Sequence, residues 1–192
     1  GQKLSDFHFV KGCTIDVGGE SKSSYEDLWM VDKESFYYID IAGAPNILSD
    51  INFLPFKNKS LSNFGCFNIL ELIQNPSVPI KEIFQVLKKD GLLVGYVPFL
   101  YPIHNQPTDY WRFSKSTLSN LLKNAGFNDI YIEPIGGRFV VLYDVILPKK
   151  TFPIRLILSS MCLLLNKVYE MIHNADYNRE MYPSGYFFVA KK

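Results

Sequence analysis

The sequence predicts one α/β domain built on a doubly wound, mostly parallel sheet. Three observations predict it. Short β-rich runs alternate with stretches of helical periodicity, the pattern of crossover connections between parallel strands. Leu92 to Phe99 is nearly continuous in apolar residues, as a strand covered on both faces has to be. The 192 residues suit a single domain, 1–192, and are too few for two comfortable ones.

Taken in order, Thr14 to Val17 is β-rich and runs straight into Gly18-Gly19. Ser21 to Asp32 reads as a short helix, with serines near its start and Leu28, Met30 and Val31 as apolar positions. Phe36 to Ile41 reads as a second strand. Ile47 to Ile51 reads as a short third one, after a turn-rich link at Ala42 to Asn46. Phe64 to Leu70 is a fourth apolar run. From Pro79 to Lys89, Ile80, Ile83, Phe84 and Leu87 recur at helical spacing, with Asp90-Gly91 as the stop. Thr117 to Ala125 predicts a helix closed by Gly126. Ile130 to Ile135 and Tyr186 to Ala190 are the last strands.

A helical insertion at about 150–180 separates those two strands. It carries the most hydrophobic stretch, Phe152 to Ile172, with Ile154, Ile157, Leu158, Met161, Leu165, Val168 and Ile172 on helical spacing. Three uses of that face are open: packing on the sheet or a substrate cap, a homodimer contact, or attachment to a membrane surface assisted by Lys149, Lys150 and Arg155.

Composition excludes several classes. Net charge is +1 and no basic stripe is present, so nucleic acid is not implied. Cys13, Cys66 and Cys162 are odd in number and sit among apolar neighbours, which reads as buried thiols in a reducing compartment. His8, His104 and His173 show no metal-ligand spacing, and no metal is expected. The first residues lack a signal-peptide pattern, and the apolar stretch is uncharged only from Leu156 to Asn166, short of a transmembrane span. A cytoplasmic location is the expectation.

Ligands of parallel α/β sheets sit at the carboxyl ends of the strands. Gly18-Gly19 would let backbone approach a ligand there without a Cβ in the way, or would form a plain strand-to-helix turn. Asp40, ending the second strand, suits two ribose hydroxyls, or is a solvated loop carboxylate. Asp50 suits an adenine amino group, with Ile51 packing on the ring. The three-glycine dinucleotide fingerprint is missing, which argues against nicotinamide-dependent oxidation, and no phosphate loop is present.

Asp16-Val17-Gly18-Gly19, Asp40, Asp50 with Leu54-Pro55-Phe56, Ile69-Leu70-Glu71, Val86 to Gly91, and Asn124 to Phe127 follow one another in a telling order. On these residues, from about Thr14 to Phe127, the chain resembles the class I S-adenosylmethionine-dependent methyltransferases, in particular the broad family of small methyltransferases typified by ubiquinone- and biotin-pathway enzymes (type 11-like). Pro98 to Ser114 is similar to a segment of methyltransferases encoded beside glycan- and polysaccharide-synthesis enzymes, with the frame P-x-x-x-P-x-H-x-x-P-x-D-Y-x-R-[FY]-[ST]. The resemblance implies a Rossmann-like sheet with an antiparallel last strand and S-adenosylmethionine as cofactor. It places Asp16, Gly18 and Gly19 at the methionine moiety, Asp40 at the ribose, Asp50 and Ile51 at the adenine, and Asn68 and Ile69 beside the methionine end. The acceptor would be a small molecule or glycan. His104 is the candidate general base toward a hydroxyl, with Asp109 as the second candidate catalytic residue. Bracing of the loop by His104, Asp109 and Arg112 is the competing reading. Tyr101, Tyr110 and Trp111 are candidates for stacking on a sugar.

Three positions depart from the family pattern: Glu20 replaces a glycine, Ser62 an aspartate, and Leu72 a histidine. The link from Asp40 to Asp50 is too short for a crossover helix, so strand three is expected to be vestigial. These departures fit a divergent enzyme or a binding or scaffold domain that has lost its cofactor.

Overall fold

The computed structural model describes residues 8, 10–18, 36–103, 108–146, 154–173 and 175–192. Within them the strands are β1 Thr14–Val17, β2 Phe36–Asp40, β3 Ile47–Leu48, β4 Leu61–Phe67, β5 Leu87–Pro98, β6 Asp129–Gly136 and β7 Pro183–Lys191. The helices are α1 Ser77–Val86, α2 Lys115–Ala125, α3 Arg138–Ile146, α4 Ile154–Ile172 and α5 Ala175–Met181, and a 3-10 turn spans Leu70–Leu72. The strands form one sheet in the order β3-β2-β1-β4-β5-β7-β6. β1 to β5 run parallel, while β7 is antiparallel to both β5 and β6. This is the doubly wound sheet with an antiparallel last strand. The helix expected at Ser21 to Asp32 lies outside the described residues, as do Gly19 and Glu20.

Alternation of side chains divides the core between the two faces of the sheet. Ile15, Phe64 and Leu93 are aligned across β1, β4 and β5 and pack, fully buried, with Ile80 and Ile83 of α1 and Leu118 and Leu122 of α2. Their strand neighbours Leu92 and Val94 join Phe36, Phe67 and Val189 in a smaller cluster. Gly95 lies where β4, β5 and β7 crowd together: a Cβ there would sit 2.1 Å from the Cys66 carbonyl oxygen and 2.6 Å from the Phe188 ring.

Several boundaries differ from the sequence reading. β4 starts at Leu61 rather than Phe64, because polar Ser62 and Asn63 are buried and satisfied. The Asn63 amide donates to the Val10 carbonyl and the Thr14 hydroxyl, both at 2.9 Å, and accepts from the Val10 N–H at 3.1 Å. β4 then ends at Phe67, where Asn68 takes φ 56°. α1 stops at Val86, and Leu87 to Gly91 belong to β5 through a register shift, with Asp90 at φ 65°. β3 is reduced to Ile47–Leu48 and residues 41–46 contain no helix, as the short link requires. The Ser114 hydroxyl caps α2, accepting from the Thr117 N–H, and Gly126 closes it at φ 113°. All three cysteines are free; Cys66 is buried, but Cys13 and Cys162 are partly exposed, contrary to the expectation for them.

Candidate functional site

The winding of the sheet reverses between β1 and β4, and their carboxyl ends open the crevice where such sheets bind ligands. Four of the expected residues meet there. Asp16 lies in β1, 2% exposed, between Tyr38 of β2 and Gly65 of β4 in register. Gly18 leaves β1 at φ 83° and donates its N–H to the Ile39 carbonyl at 3.0 Å. A Cβ at Gly18 would meet the end of the Ile69 side chain, which would have to move, and the positive φ favours glycine in its own right. Asn68 donates its N–H to the Tyr96 carbonyl at 3.0 Å, and its left-handed conformation delivers Ile69 to Gly18.

Asp40 stands one residue beyond Ile39, half-buried at the end of β2. Its Oδ1 accepts from the N–H groups of Ile41 and Ala42 at 2.7 and 3.3 Å, an arrangement that fixes the carboxylate at the strand end. Asp50 is exposed on the following loop, where its Oδ1 accepts from both the backbone and side-chain amides of Asn52 at 2.8 Å. Ile51 is buried within the main core cluster.

The segment from Pro98 to Ser114 is anchored on the turn that follows β4. Tyr110 and Trp111 donate their N–H groups to the Glu71 carbonyl at 2.8 and 3.3 Å. Asp109 and Arg112 form a two-point ion pair at 2.5 and 2.7 Å, and Arg112 also donates to the carbonyls of Trp111 and Tyr101 at 2.8 and 3.3 Å. The geometry of Asp109 is that of a brace. His104 lies outside the described residues. The Trp111 indole is 43% exposed, stacks on Phe113 and donates to the Ile73 carbonyl at 2.9 Å. Beside it runs a groove of about 380 Å³ lined by Gln74, Asn75, Asn120 and Asn124 with Trp111 and Phe113.

Glu71 is named in the sequence within Ile69-Leu70-Glu71 but is given no role in the site there. It sits in the 3-10 turn with no exposed surface, and burial lifts its carboxyl to about 7; Asp109 pushes in the same direction, while Arg112 pulls it down. Cys66 is close by. Burial, then the charges of Glu71 and Asp16, push its thiol well up, so it is a neutral core group rather than a nucleophile. The signal available beforehand was an acidic residue flanked by leucines directly after a strand.

No family model matches the chain, and no curated protein matches it. Solved structures do. An S-adenosylmethionine-dependent methyltransferase from Archaeoglobus fulgidus superposes with a TM-score of 0.61 at 17% identity, over 96% of this chain and 88% of its own. This chain has the methyltransferase fold. Phosphoethanolamine N-methyltransferase 2 of Haemonchus contortus, solved with S-adenosylmethionine, gives a TM-score of 0.59 at 16% identity; 98% of this chain spans 51% of that one. The [4+2]-cyclase SpnF gives 0.55 at 13% identity, over 98% of this chain and 78% of its own. The cyclase makes plain that this architecture hosts more than one chemistry.

Proposed function

We propose that the chain binds S-adenosylmethionine across the carboxyl ends of β1, β2 and β4 and transfers its methyl group to a hydroxyl-bearing small molecule or glycan. The observation that carries this reading is the convergence of Asp16, Gly18 at φ 83°, Asn68 and Ile69 at the reversal point between β1 and β4, where such sheets bind ligands. Asp16, Gly18, Gly19, Asn68 and Ile69 hold the methionine portion. Asp40 receives the ribose hydroxyls, its carboxylate already oriented by the turn. Asp50 flanks the adenine; Ile51, packed into the core, holds the loop that carries it. When bound, the cofactor supplies an electrophilic methyl group on its sulfonium centre.

The acceptor side belongs to the Pro98–Ser114 segment. His104 accepts the hydroxyl proton as the general base. Asp109 acts through Arg112, whose contacts to Tyr101 and Trp111 tie together the two described ends of the segment. The groove beside Trp111 supports an acceptor with an apolar face: its exposed lining is mainly apolar, an indole face covers one side of a sugar ring, and Gln74, Asn75, Asn120 and Asn124 supply polar groups around it.

Calorimetric titration with S-adenosylmethionine and S-adenosylhomocysteine tests the cofactor. Micromolar binding is expected, weakened roughly 10- to 100-fold by Asp40→Ala, the loss expected for hydrogen bonds to a charged group. Silence up to millimolar concentrations would overturn the reading and leave a scaffold domain. With binding in hand, radiolabelled methyl transfer to a panel of sugars identifies the acceptor.

A further inference from the structure

The helical insertion is built inside out. α4 packs on α3 and α5, and the side it turns inward is polar. Asn166 is buried there; it accepts from the Asn178 amide at 3.2 Å and donates to Glu170 at 3.0 Å. Arg179 of α5 donates twice to Glu170, each time at 3.3 Å. The outward side is apolar. Met161, Leu164, Leu165, Val168, Met171 and Ile172 fall on one arc at helical spacing and are 42–82% exposed. A surface helix of a globular domain does the reverse. Packing on the sheet therefore does not use this face.

Charge selects the occupant. From Val145 to Tyr169 the sequence has no Asp or Glu and four basic residues, Lys149, Lys150, Arg155 and Lys167. Hydrocarbon takes an apolar arc, and anionic headgroups take the cations that accompany it in the sequence. A second copy of the chain would set the same cations against one another. Crossing the bilayer is ruled out for this element, because no helix among the described residues is long and apolar enough. We propose that α4 lies in the plane of an anionic bilayer surface and seats its apolar arc in the headgroup layer. The inference stands apart from the chemistry of the cofactor crevice.

Vesicle flotation of the full chain tests it. Phosphatidylcholine vesicles containing phosphatidylglycerol are expected to carry at least about tenfold more protein than phosphatidylcholine alone, since each basic residue engaged is worth about fivefold. That excess should vanish in molar salt. Leu164→Glu and Val168→Glu replace exposed side chains, so the unfolding midpoint should hold while flotation drops about tenfold. Lys167→Glu should lower only the anionic excess. Equal flotation with both vesicle types, or with neither, overturns the proposal whatever the variants do. A dimer in sedimentation equilibrium that Leu164→Glu splits would assign the face to a second copy instead.

Discussion

Glu71 is a carboxyl group with no exposed surface, one turn beyond the carboxyl end of β4 and directly under the Tyr110–Trp111 backbone. Its ordinary value is 4.5 and burial lifts it to about 7. Between those values the folded chain holds a proton that the unfolded chain has released. The group's contribution is thus complete below about pH 4.5 and is lost as pH rises through 7, by up to about 3 kcal/mol. Glu71→Gln imitates the protonated form. It should flatten the fall in stability between pH 5 and 8 and be the more stable protein at pH 8, as read by urea unfolding; an unchanged slope would place the titration elsewhere. Asp16, Gly18 and Asp40 were legible in the sequence because each follows from its position at the end of a strand. Glu71 was not, because its chemistry comes from a loop nearly forty residues further along folding over it.

At the scale of elements, the sheet is tightest where β5 passes between β4 and β7. Gly95→Ala would press a methyl group against the Cys66 carbonyl and the Phe188 ring. A backbone oxygen cannot yield as a side chain can, so a loss of about 3 kcal/mol is expected in denaturant unfolding, at the upper end for an overpacked core. Elements defined by local chemistry were read well. Gly126 ends α2 because an αL position follows its last turn, and β3 is vestigial because its connection is too short for a helix. Elements defined by distant partners were not. The start of β4 depends on Asn63 reaching Val10 and Thr14, and nothing in a single strand's pattern announces that partnership. The apolar period of α4 was visible, but a period cannot say whether its stripe turns inward or outward.

For the whole molecule, the proposed cofactor should act as a thermodynamic ligand of the folded state. S-adenosylhomocysteine at about 100 times its dissociation constant adds about 2.7 kcal/mol. In a domain of this size that is a rise of about 5–10 °C in the unfolding midpoint, readable by differential scanning fluorimetry, with no rise from a nicotinamide dinucleotide. The strand order carries a second consequence, which concerns synthesis. β7 fills the gap between β5 and β6, yet it is the last of the seven described strands to be made. The open edge of β5, nearly continuous in apolar residues, waits while the ribosome works from Pro98 to Pro183, roughly 5–15 s at ordinary translation rates. An unpaired edge of that kind is a template for the wrong neighbour. The nascent chain's passage through a crowded cell is governed by how well that edge is shielded until its own partner arrives.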